Sequence, residues 1–149
     1  MSLTTTELKA LDLGYLKGSD LLQFCAAQLL IKQYEVDNDS LQAGSNLAYS
    51  ELESNLSTRY DVKTELENST RNALCVKIAS ILAIRNILGN AQNISEMMIN
   101  LFVWADKELI AIRNGQISLG LNQPQNTDGT PVLNYSDASL IRSSFKTIG

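Results

Sequence analysis

Few side chains in this sequence have the type and spacing to do chemistry. Cys25 and Cys75 offer a disulfide or a reactive thiol. Neither belongs to a Cys-x-x-Cys pair and both stand among apolar neighbours, so two small buried hydrophobes is the simpler reading. The acidic run Glu35-Val36-Asp37-Asn38-Asp39-Ser40 hints at calcium. It lacks the glycine and the distal glutamate of an EF-hand loop, and a solvated turn accounts for it better. Glu51 with Glu53, and Asp106 with Glu108, stand two residues apart and face different ways on a helix, which is wrong for shared acid–base work. Histidine is absent, which removes the commonest general base and the commonest metal ligand. There is no glycine-rich phosphate loop, nucleophile elbow or metal-ligand spacing. The residues predict no catalysis, no cofactor and no metal.

Charge and composition narrow the partners. The net charge is −4 and the isoelectric point is near 4.8. Lys77 and Arg85 stand isolated in one segment, Lys107 and Arg113 in another, so no basic cluster exists to grip phosphates. An acidic surface is one that DNA can pass without sticking. The chain is 44% hydrophobic, yet no apolar run approaches the roughly 20 residues of a membrane span. Its first residues lack a secretory pattern, so the expectation is a protein that stays where it is made.

The elements that position these side chains read as an all-α protein, a small bundle of about four helices with a short C-terminal strand and an extended tail. Residues 1–18 form an N-terminal arm, interrupted by Gly14 and Gly18. The bundle spans residues 19–115. Its first helix opens at Ser19 and runs to about Gln33, with Leu22, Cys25, Ala26, Leu29 and Leu30 at helical spacing. A second, from Ser40 to about Thr58, carries Leu41, Ala48, Leu52 and Leu56 on one stripe. The third, placed from Glu65 to Leu88, is apolar on most sides, which suits the middle of a bundle or a subunit contact. Asn93 and Glu96 have capping-box spacing for a fourth helix that ends at Asn114-Gly115. Phe102 and Trp104 stand off its inward stripe, as core aromatics or as a docking patch. Gln116 to Leu121 alternates like a strand, with Ile117 and Leu119 on one side, and a lone strand invites pairing with a neighbouring chain. The tail, 116–149, holds both prolines, Pro124 and Pro131, and the turn-forming Asn126-Thr127-Asp128-Gly129. It also carries Leu133, Tyr135, Leu140, Ile141 and Phe145. These are expected to gain their order from a partner surface.

Two stretches are familiar in combination. Glu51-Leu52-Glu53-Ser54-Asn55-Leu56-Ser57-Thr58-Arg59-Tyr60 resembles the acidic–aliphatic helix ending in Arg-Tyr of small head–tail connector (adaptor) proteins of tailed bacteriophages, and most of all the Mu-like Gp36 family. Trp104 to Gly120 is similar to that family's final helix, closed by a glycine and followed by a short strand, here Ile117-x-Leu119-Gly120. Ala73 to Ala79 matches its small-residue-rich central helix. The likeness covers about residues 19–121, although no proline follows the Arg-Tyr here and the tail is longer than in short members. It implies a virion structural protein of the neck, made in the host cytoplasm. Such a protein forms a homo-oligomeric ring between the portal protein and a tail or stopper protein, and DNA passes through its channel without specific binding. By the same resemblance the tail docks on the portal or a neighbouring subunit. Arg59 and Tyr60 are then candidate subunit contacts, as are Ile117 and Leu119. For the first two the competing account is structural, with Arg59 paired to Glu53 or Asp61 and Tyr60 covering the bundle end. A helical regulatory module that binds one partner through the apolar tail is the alternative, and a monomer or dimer in place of a ring would favour it.

Overall fold

A computed structural model describes residues 3–66, 68, 70–89 and 94–121. Seven helices occur among them: α1 (Thr5–Lys9), α2 (Gly18–Leu22), α3 (Ala27–Val36), α4 (Ser40–Leu56), α5 (Val62–Leu66), α6 (Ala73–Leu88) and α7 (Glu96–Arg113). Four of them, α3, α4, α6 and α7, run ten residues or more. The helical prediction holds.

α6 is the axis of the molecule. Ten of its sixteen residues are buried, on nearly every side, and it touches α2, α3, α4 and α7. Its closest neighbour is α4, which buries Leu41, Ala48, Leu52 and Leu56 at helical spacing. Gly44 sits at that crossing, where an added Cβ would lie 2.5 Å from Ile87 Cγ1 and 3.3 Å from the Ala83 carbonyl oxygen. α7 covers another side of α6 with Met98, Ala105, Leu109 and Ile112.

Four boundaries differ from expectation, each for a local physical reason. The predicted first helix is two helices, broken before α3 where Ala26 is extended. Leu21 and Leu30 are both fully buried, yet nine residues apart they would stand on opposite faces of one straight helix. The break turns both inward. The third helix starts at Ala73 and not at Glu65, because the Asn72 side chain accepts the Cys75 N–H at 3.1 Å and sets the N-terminus there. Ser95, rather than Asn93, caps α7 by accepting the Met98 N–H at 3.2 Å; Asn93 lies outside the described residues. The strand over 116–121 is not formed: the described residues contain no strand, only an isolated bridge between Asp12 and Lys17. A helical protein offers no ladder, and side chains take both backbone groups of Leu119 instead. Its N–H donates to Tyr60 Oη at 3.1 Å, and its carbonyl accepts from Asn72 Nδ2 at 3.2 Å.

The stretch expected to be an arm packs into the common core over residues 3–18. Thr4 caps α1 by accepting the Glu7 N–H, and Leu3, Leu8, Leu13 and Leu16 are buried. Gly14, at φ 98°, makes the tight turn that brings Lys17 back beside Asp12.

Candidate functional site

Two features of the surface could be functional. The first is the point where the chain leaves the helices. α7 ends at Arg113 with Asn114 as its cap, and Gly115 adopts φ 78°, so that its N–H and that of Gln116 close on the Ile112 and Ala111 carbonyls. Residues 116–121 then run across the bundle end to the Tyr60 and Asn72 clasp on Leu119, with Ile117, Leu119 and Leu121 partly buried against the core. Tyr60 and Leu119, both named as candidate subunit contacts, thus meet within one chain. Tyr60 is only 6% exposed. Arg59 and Ile117 are half-buried. Leu133, Tyr135, Leu140, Ile141 and Phe145 lie outside the described residues.

The second feature is a cleft of about 680 Å³ beside the turn at Gly14, between the loop before α2, the α4 helix and the segment leading into α6. Its apolar lining is Leu13, Leu66 and the rings of Tyr15 and Tyr49, whose centroids are 5.5 Å apart at 56°. Lys17, Ser45, Asn46 and Arg71 supply the polar lining. Arg71 is fixed in place. Its Nη1 lies 2.6 Å from Asp20 Oδ2 and 3.0 Å from the Tyr15 carbonyl oxygen, and its Nη2 lies 3.3 Å from Asp20 Oδ1. The hydrogen bond to Asp20 pushes the Arg71 pKa up, further securing its charge. Asp20 also accepts the Lys17 N–H at 2.8 Å, so a single carboxylate holds the start of α2 and the approach to α6 together. Ser45 is 2% exposed, and neither its hydroxyl nor that of Tyr15 has a hydrogen-bond partner among the described residues. Burial, followed by the nearby Cys75 thiol, raises the Tyr15 pKa well above its usual value.

Two of the carboxylates weighed for catalysis, Glu51 and Asp106, have a structural partner. Arg85 on α6 binds Asp106 of α7 at 2.8 Å and Glu51 of α4 at 3.3 Å, tying three helices. Glu53 is exposed, and Glu108 half-buried. The acidic run forms a turn in which Asp37 Oδ1 accepts the Asp39 N–H. Cys25 and Cys75 are free and buried, and burial pushes their thiols up to about 11 and about 12. Among the described residues no group of three Cys, Asp or Glu side chains could hold a metal ion. Among the same residues no helix is long and apolar enough to cross a membrane. Phe102 and Trp104 are half-buried against the core, and Lys77 Nζ lies 4.3 Å from the Trp104 ring centroid.

From sequence, Asp20 reads only as a first-turn acid, and nothing singles out Tyr15, Ser45 or Arg71. Asp20 and Arg71 are 51 residues apart, and no local spacing announces their pairing. A lone arginine between Asn, Ser and Thr residues is the only hint. No protein-family model, curated protein or solved structure matches the chain.

Proposed function

We propose that this chain is a structural adaptor of the phage neck, a subunit of a ring between the portal and a tail or stopper protein, with no catalytic activity. The observation that carries the reading is a division within the chain. The described residues share one continuous apolar core, from Leu3 to Ile112. A further 28 residues, 122–149, follow, carrying Leu133, Tyr135, Leu140, Ile141 and Phe145. A segment that rich in apolar anchors gains affinity from a partner's surface.

A second feature supports a contact between subunits. Ile99, Val103 and Ile110 lie along one outward stripe of α7, each 46–48% exposed. Three β-branched residues aligned on one helix face suit contact with a protein neighbour better than contact with water. The sequence resemblance to connector proteins names the assembly; the stripe and the tail supply surfaces for it.

Ending the chain after Leu121 is the direct test. The shortened protein keeps its helical circular-dichroism signal and its cooperative melt, but no longer incorporates onto portal rings in electron micrographs. Unaltered incorporation removes the tail from the mechanism. A monomer or dimer that never closes on a portal favours the regulatory-module reading.

A further inference from the structure

The cleft beside Gly14 has the chemistry of a receptor for an aromatic side chain with an acid close by. Its walls are two tyrosine rings and two leucines, which suit a ring. Asp20 occupies the Arg71 guanidinium, so Lys17, exposed at the rim, is the cation left for an incoming acid.

We propose that this cleft receives Tyr135 of the chain's own C-terminal segment while the subunit is free. Three observations select that occupant. The clasp on Leu119 is made in part by Asn72, so the chain leaves the helices beside the residue next to Arg71, on the cleft wall. Fourteen residues separate Leu121 from Tyr135, a reach of up to roughly 46–50 Å, which is ample for the same subunit. The sequence Tyr135-Ser136-Asp137 joins an aromatic ring to a carboxylate two residues on, complementing the tyrosine- and leucine-lined walls and Lys17. Phe145, the other aromatic residue of the segment, is followed by Lys146 and has no acid beside it to meet Lys17. Tethering raises the effective concentration to millimolar levels, so a weak pocket suffices and a stronger partner can displace the segment. The proposal goes beyond the neck reading and does not depend on it, because it concerns the free subunit and is read without a portal.

Disulfide trapping in the full-length chain tests it. Asn46→Cys places a thiol on the cleft rim, and Asn134→Cys places one beside the anchor. The native thiols are buried and hard to ionise, so they do not compete. The expected result is an intrachain crosslink that runs as a monomer and forms at least about tenfold faster than with Val36→Cys, an exposed site off the cleft, as the second thiol. Adding Tyr135→Ala removes that advantage. An interchain crosslink assigns the cleft to a second copy and overturns the proposal, as does a rate equal to the Val36→Cys control. In the same protein without added cysteines, Tyr135→Ala shifts the amide NMR signals of Tyr15, Ser45 and Asn46. Unmoved signals there also overturn it.

Discussion

At the scale of single residues, the Asp20–Arg71 pair has the largest local consequence. Asp20 is nearly buried, and Arg71 provides its only cationic partner in the structure described. Arg71→Leu strands that carboxylate and releases the Tyr15 carbonyl, at a cost of about 3 kcal/mol. Urea unfolding measures the loss. Replacing both partners by leucine costs less than the two single changes summed, because no charge is then left alone. The cysteines make a second residue-scale prediction. Burial keeps both protonated in the folded chain, with pKa values of about 11 and about 12 against 9.0 for an unperturbed thiol. The unfolded state therefore releases these protons first as pH rises. Their contribution to stability is complete below about pH 9 and drains away toward pH 12. Iodoacetamide at about pH 8 leaves both thiols unmodified in the native protein and labels both once denaturant is added, as read by mass spectrometry.

At the scale of elements, the α4–α6 crossing sets the packing, and Gly44 sets the crossing. Gly44→Ala drives a methyl against Ile87 and the Ala83 carbonyl, forcing the helices apart. The expected cost is about 1–3 kcal/mol, seen as a lower midpoint in thermal melts. An unstrained helical glycine replaced by alanine would instead gain stability, so the sign of the change tests the contact. Some elements could be read in advance from hydrophobic period and caps. α4 was legible because Leu41, Ala48, Leu52 and Leu56 repeat at helical spacing within a single amphipathic segment. The break between α2 and α3 was not, because the apolar run from Leu21 to Leu30 suits one helix until the core demands both leucines on the same side. The start of α6 is not legible from period, because Asn72 competes for the backbone through its own side chain, a preference that periodicity does not register.

At the scale of the whole molecule, the described residues share one core and end two residues past the clasp on Leu119. Apolar residues from Leu3 to Ile112 close a single core. Removing residues 122–149 is accordingly expected to leave the unfolding midpoint within the range of a surface change, under about 1 kcal/mol, while abolishing portal incorporation. A large fall in stability would show that those residues belong to the core. The candidate site has two parts. The tail's apolar residues are legible as composition, since five of them among prolines and turn residues need no fold to be counted, and they lie outside the described residues. The cleft is not legible in the sequence, since Leu13, Ser45, and Leu66 with Arg71 come from three separate parts of the chain and converge only when α4 packs on α6.

The amino-acid sequence by itself determined the helical class, the approximate extent of α4 and α7, the absence of histidine chemistry and the change of character after Gly115. All of these are local properties of period, cap and composition. Tertiary structure alone decided that residues 3–18 are core, that Leu119 is held by Tyr60 and Asn72 rather than by a strand, and that Asp20 finds Arg71. Those outcomes depend on which distant groups arrive together and must bury their charge or share their hydrogen bonds.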